Sequence, residues 1–257
     1  DRTMEIKKSS IKNVIDNQFQ GDIGLAEDIV LAMEEEGMEH KPVQQTLYDN
    51  IKTNKGIPIT KEINPDLKEE DGTPKQMYKI DGKWIKRRVT DIVKAVYNRI
   101  RQDGDINKTQ YQRAVDDIKK NYGTEGHADI EHAFSVLVDD NGLVRTSPLD
   151  DSQYKPSTTL PIYKILRDNL QERLLTFPAG TKFLSETKIY DPKRDIAGTI
   201  DFLAIEPDGK TSILDWKFMD LNTDKYSDIP WYKVNAWNTQ MEQYKYIISK
   251  VYGVKNE

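Results

Sequence analysis

One turn sets two aspartates face to face. The turn is Glu206-Pro-Asp-Gly-Lys210, and it joins two runs rich in branched and aromatic residues, Gly198 to Ile205 and Thr211 to Lys217. With the turn centred on Asp208, residues equally distant from it oppose each other, and Asp201 and Asp215 each stand seven positions away. Opposed residues on antiparallel strands have Cβ atoms roughly 4.5–5.5 Å apart, where like charges destabilise the pair unless something offsets them. A divalent cation is the expected offset. Lys217 follows Asp215 by two positions and so points to the same face. The neighbours Ile200, Phe202, Leu214 and Trp216 are apolar, as in a central strand, where unpaired carboxylates cost more still. A lone Asp-x-Lys would read as a surface charge pair, but here the register, the apolar flanks and the second carboxylate agree. A slip of one residue would place the two aspartates on opposite faces.

Composition narrows what such a site can do. The 257 residues contain no Cys, which excludes a disulfide framework, a thiolate zinc site, a cysteine nucleophile and a Cys-ligated iron–sulfur cluster. The net charge of -5 gives no general attraction for polyanions, so a nucleic-acid partner needs a local basic surface or metal ions. Lys86, Arg87 and Arg88, with Lys83 beside Trp84, form the candidate basic patch, able to contact phosphates and stack bases. A charge-protected edge strand is the plainer reading of any one of these residues. No apolar run approaches the roughly 20 residues of a membrane span, and DRTMEIKKSS has no apolar signal core, so no membrane partner and a cytoplasmic location are expected. A start at Asp1 rather than Met is expected of a piece of a longer polypeptide, with fused domains or partner proteins outside this chain.

The remaining pattern divides the chain at about residue 76. The first 65 or so residues read as a charged, mostly helical accessory region, with Leu25, Ile29 and Met33 at helical spacing. Residues 54–76 hold Gly56, Pro58, Pro65, Gly72 and Pro74 among charges, the composition of a linker. Asp81-Gly82 then marks a two-residue hairpin turn, and a helix is expected over 89–101. Gly123-Thr124 separates a helix over 109–121 from one beginning near Glu125, whose apolar face is Ile130, Phe134, Leu137 and Val138, with His127 one turn before it. Pro161 opens a helix with Ile162, Ile165, Leu166, Leu170 and Leu174 on its apolar face. Another strand covers 182–190, and the last helix, about 231–251, carries Trp237, Met241, Ile248 and Val251 as its apolar stripe. Gln240 and Tyr244, spaced i, i+4, lie beside that stripe facing inward and need polar partners.

Gly198-Thr-Ile-Asp201 followed by Asp215-Trp-Lys217 resembles the catalytic core of the PD-(D/E)xK nuclease superfamily. More closely, it is similar to the RecB-like branch, which includes the AddB nuclease domain, CRISPR-associated RecB-like exonucleases and many phage exonucleases. That branch carries a Gly-x-x-x-His motif, matched by Gly123-Thr-Glu-Gly-His127, a Glu on the preceding strand, matched by Glu186, and a downstream Gln-x-x-x-Tyr, matched by Gln240-Met-Glu-Gln-Tyr244. The elements occur in the family's order across residues 123 to 244. The family's Pro-Asp is here Ile200-Asp201, and the four-Cys iron–sulfur cluster of several members has no ligands in this chain.

The resemblance implies a restriction-endonuclease-like α/β fold over residues 77–257, a mixed central sheet flanked by helices, after the accessory region of residues 1–76. It implies hydrolysis of phosphodiester bonds with one or two Mg²⁺ or Mn²⁺ ions, for which hard oxygen ligands are suited. By the same resemblance Asp201 and Asp215 would bind metal, with the Trp216 carbonyl, Glu186 and His127 as further ligands. Lys217 would position the attacking water or stabilise charge on phosphate. A lone His on an apolar face is ordinarily a hydrogen-bonded core residue, and the Gly-x-x-x-His context is what turns His127 toward a ligand. DNA is favoured over RNA as substrate and an exonuclease mode is suggested, in a host cytoplasm if the chain is viral. Two alternatives stand beside this reading: a catalytically silent nuclease fold serving as a nucleic-acid-binding scaffold, and an RNA endonuclease of the cap-snatching type, which lacks the Gln240 to Tyr244 element.

Overall fold

The structure, a computed structural model, describes residues 43–69, 72–100, 110–156, 161–218 and 231–254. The helix expected around Leu25, Ile29 and Met33 lies outside the described residues. A compact unit begins at Val43. Its first element, α1 (Val43–Lys52), buries Leu47, Tyr48 and Ile51 in the main core. The apolar face of α1 thus belongs to the same core as the central sheet and the last helix.

The segment read as a linker is a β-hairpin. Strand β1 (Ile59–Lys68) pairs antiparallel with β2 (Pro74–Ile80), and β2 pairs with the short β3 (Lys83–Trp84). The composition misleads because Pro65 falls inside a register shift between Asn64 and Lys68, where no ladder bond is lost to it. There the Asn64 side chain accepts the Asp66 N–H at 2.9 Å. Asp81 and Gly82 have φ of 48° and 76°, the paired left-handed turn their sequence predicts.

The second sheet has β6 (Ile196–Ile205) at its centre, buried along nearly its whole length. Antiparallel β5 (Lys182–Asp191) lies on one side of it. On the other side, parallel β4 (Arg87–Arg88) pairs near the start of β6 and antiparallel β7 (Thr211–Leu214) near its end. The architecture is thus mixed α/β. Helix α2 (Val89–Ile100) follows β4, and α3 (Gln110–Leu137), α4 (Tyr163–Leu175) and α5 (Trp231–Tyr252) complete the described helices. One face of the sheet packs on α1 and α5 through Ile189, Ile200, Leu203, Ile205 and Ile247. The other packs on α3 and α4 through Phe183, Phe202, Leu137 and Leu174. Among the described residues no helix is long and apolar enough to cross a membrane.

Two helix expectations are corrected. Gly123-Thr124 does not interrupt α3, which runs unbroken from Gln110 to Leu137, since glycine inside a helix costs only about 1 kcal/mol and the packing of the distal half outweighs it. Ile165, expected on the buried face of α4, is exposed, and Leu170 and Leu174 carry that contact.

Candidate functional site

The hairpin register is the one that equal spacing about Asp208 predicts. Phe202 pairs with Leu214, Leu203 with Ile213, Ala204 with Ser212 and Ile205 with Thr211. The ladder stops one step short of the aspartates: β7 ends at Leu214, and residues 215–218 leave regular strand geometry. What replaces the next pair is a bond from the Trp216 N–H to Asp201 Oδ2 at 2.9 Å. On the other side of β6, Ser185 pairs with Phe202 and Thr187 with Ile200, so Glu186 stands opposite Asp201. Glu186, Asp201 and Asp215 thus form a carboxylate row across neighbouring chain segments.

That row is also where the strands stop alternating. Before it on β5, Phe183 packs toward α3 and α4 and Leu184 toward α1 and α5, but after it Ile189 takes the α1 and α5 side. On β6, Ile196 and Ile200 face that side before the row, and Leu203 and Ile205 after it. Both strands therefore shift their facing by one residue at the same place, which keeps the register constant. Glu186 absorbs the shift with φ of 47°. The left-handed region is costly for a residue with a Cβ, about 1–2 kcal/mol, and such strain gathers at functional sites.

Helix α3 lowers His127 over this row. Its Nδ1 is 3.6 Å from Glu186 Oε1 and 3.7 Å from Asp201 Oδ2. The Phe218 ring meets the imidazole edge-on with centroids 5.6 Å apart. A Cβ on Gly126 would lie 2.5 Å from Phe218, so Gly126 is the glycine this approach requires. At Gly123 a Cβ would meet nothing within 4 Å. Within Gly123-Thr-Glu-Gly-His127 the packing thus singles out the residue just before the histidine.

Helix α5 closes the other end. The Gln240 amide donates to Asp215 Oδ1 at 3.0 Å and to the Tyr244 hydroxyl at 3.1 Å, while its carbonyl accepts from Lys217 Nζ at 3.3 Å. Lys217 is also ion-paired with Asp215. Tyr244 is buried, which pushes its hydroxyl pKa up, and its ring rests where a Gly198 Cβ would be, 2.8 Å from Cε1. Gly198 is what lets α5 come close enough for Gln240 to reach the row.

The electrostatics follow from this crowding. Burial, then the Asp215 charge, push the Asp201 carboxyl up to about 6, against the pull of His127 and the Trp216 N–H. The Glu186 carboxylate beside it raises the His127 pKa despite burial, and Asp201 and Asp215 add to it. Ligand atoms of His127, Glu186 and Asp201 lie within 4.8 Å of one another, a spacing at which two carboxylate oxygens and one imidazole nitrogen can hold a metal ion. Asp215 stands beside this trio, its oxygens engaged by Gln240 and Lys217.

Asp201, Asp215, Trp216, Lys217, Glu186, His127, Gln240 and Tyr244 therefore share one site. The basic patch divides. Lys86 and Arg87 are exposed and do not line the cleft at the row, whereas Arg88 does line it. Arg88 is held there by Asp91 at 2.8 Å, Glu69 at 2.7 Å and the Gln76 carbonyl at 2.8 Å. Lys61 of β1 also lines the cleft, and the linker reading of residues 54–76 hid it. The strand could have been found from Met77, Tyr78 and Ile80, apolar residues on a strand beside a tight turn that needs a partner on its free edge. The chain matches no family profile, no curated protein and no solved structure.

Proposed function

We propose that this chain is a divalent-metal-dependent nuclease of the PD-(D/E)xK type, similar to the RecB-like branch, with DNA as its favoured substrate. The observation that carries the reading is the convergence of His127, Glu186, Asp201, Asp215 and Lys217 on one face of a mixed sheet. Three carboxylates with one lysine and a half-buried histidine are poorly balanced without a further cation. The engagement of Gln240 with both Asp215 and Lys217 supports the RecB-like version over a cap-snatching RNA endonuclease, which has no such element.

Glu186, Asp201 and His127, with Asp215 adjoining, would hold Mg²⁺ or Mn²⁺, which polarises a phosphate oxygen and lowers the pKa of a bound water. The residues of the chain supply orientation. Lys217 has its ammonium at the exposed end of the row, placed to donate to a phosphate oxygen or to the attacking water. Gln240 fixes both the Asp215 carboxylate and that ammonium. Tyr244, packed on Gly198, fixes Gln240. The Trp216 N–H orients Asp201 Oδ2.

The test is cleavage of end-labelled linear and closed circular DNA, single- and double-stranded, with matched RNA, in Mg²⁺, Mn²⁺ or EDTA. Wild type is expected to give metal-dependent products on DNA, and Asp201→Asn to lose at least about a hundredfold in rate, the scale of removing one preorganised charge-stabilising group. Sparing of the circles assigns an exonuclease. Equal activity in Asp201→Asn removes Asp201 from the mechanism, and no products from wild type in any metal removes the nuclease reading and favours a silent scaffold.

A further inference from the structure

Lys61 reaches the carboxylate row by a route fixed in the backbone. It pairs in register with Tyr78 across the β1–β2 ladder. Tyr78 is 4% exposed, and its hydroxyl shares a 2.7 Å hydrogen bond with Thr199 Oγ1. Thr199 lies two residues before Asp201 on β6. The pin from Tyr78 to Thr199 therefore sets where the hairpin stands relative to the row. Lys61, Glu186, Asp201 and Gln240 line one cleft of about 610 Å³.

The charge around Lys61 is unusual for a surface lysine. Although its side chain is exposed, desolvation by the cleft walls lowers its pKa; Glu186 is the strongest charge raising it, Arg88 and Lys188 lower it, and Asp201 raises it less. Lys217 occupies the Asp215 end of the row. Arg88, the other cation of the cleft, is committed to Asp91, Glu69 and the Gln76 carbonyl. Among the described residues Lys61 has no ion pair, its one aromatic neighbour being the Tyr78 ring at 5.8 Å. Two lysines on different elements thus flank a carboxylate row, one paired and one open to the cleft.

We propose that Lys61 is a substrate-binding residue that holds a phosphate of the nucleic-acid strand at the Glu186 end of the row, so that the strand is gripped between Lys61 and Lys217. The proposal rests on the nuclease reading for the identity of the strand. Its chemistry is charge-assisted hydrogen bonding to a non-bridging phosphate oxygen, for which a mobile ammonium is suited. The alternative role for the same ammonium is simple neutralisation of Glu186 and Asp201.

Binding separates the two roles without relying on turnover. Fluorescence anisotropy on a labelled single-stranded DNA oligonucleotide, in Ca²⁺ and over a series of salt concentrations, is measured for wild type, Lys61→Gln and Lys61→Arg. Lys61→Gln is expected to weaken binding about fivefold at low salt and to reduce the salt slope by about 0.7, the loss of one phosphate contact on a single strand, and Lys61→Arg to restore most of it. Mn²⁺ affinity by calorimetry is expected to change less than about twofold. Oligonucleotide binding unchanged in Lys61→Gln, tightened Mn²⁺ binding without loss of oligonucleotide, or no oligonucleotide binding by wild type overturns the proposal. A wild type that binds through Lys61 yet never cleaves retains the phosphate contact and removes only the nuclease reading.

Discussion

Around Arg88, the carboxylates of Asp91 and Glu69 meet Arg88, Lys75 and Lys94, whereas around Asp201 the carboxylates of Glu186, Asp201 and Asp215 meet Lys217 and a histidine. Both clusters are partly buried and both reach the same cleft. Burial alone would push the Asp91 carboxyl up, but bonds from Arg88 and Lys75 hold it down to about 2. Asp201 has no such partner and rises to about 6. Desolvation acts on both and more strongly on Asp201, and the outcome turns on whether cations of the chain are sufficient. The first cluster is a lock that joins the β1–β2 hairpin to α2. The second is short of positive charge, which a stable structure tolerates where a ligand supplies it.

The comparison breaks most sharply at Arg88. Arg88→Met removes the cation that Asp91 and Glu69 share, leaving each with one lysine, and is expected to cost about 3 kcal/mol in urea denaturation, the scale of breaking a buried ion pair. A loss below about 0.5 kcal/mol would place this cluster among surface ion pairs.

Asp201→Asn is the opposite experiment on the other cluster. It removes one of three like charges while an amide oxygen can still accept from the Trp216 N–H, so the metal-free protein is expected to gain about 1 kcal/mol at pH 8. A clear loss of stability in EDTA would mean that the Asp201 charge is already compensated.

The smallest effect is the pH dependence, and its sign differs between the clusters. Asp201, raised to about 6, holds its proton more tightly in the folded state, so its contribution declines as pH rises from about 4 to about 6. His127, also raised, contributes below its ordinary value near 6.5 and loses that contribution as pH climbs through its folded value. Asp91, lowered to about 2, contributes fully above about 4 and loses that contribution as pH falls from about 4 to about 2. A metal ion held by the row would displace its protons. The rise in melting temperature produced by Mg²⁺ over EDTA is therefore expected to be larger at pH 8 than at pH 5, and an equal rise at both would detach Mg²⁺ from Asp201 and His127.

Much of the site was legible because its determinants are local. A tight turn sets register, so the placement of Asp201 near Asp215 followed from counting outward from Asp208. The i, i+4 spacing on the last helix brought Gln240 and Tyr244 inward together, and both found polar partners there. Where the reading failed, composition had stood in for pairing. Pro65 marked a linker by rule, yet it sits in an irregularity of β1 where its missing N–H costs nothing, and with that strand went Lys61. The glycine that packing needs before His127 was also hidden, since only Phe218, distant in sequence, reveals why it is Gly126.

The sequence by itself determined the local chemistry: strands and helices from their periods, the hairpin from its turn, the charge types from their spacing. Tertiary structure alone decided three things. It shifted β5 and β6 by one residue at the same row, with Glu186 taking the left-handed backbone. It seated His127 over Glu186 and Asp201, and it brought the β1–β2 hairpin across to set Lys61 at the cleft. These depend on contacts between residues tens of positions apart, whose free energy comes from burial and charge in the assembled fold, and no local period or turn rule carries that information.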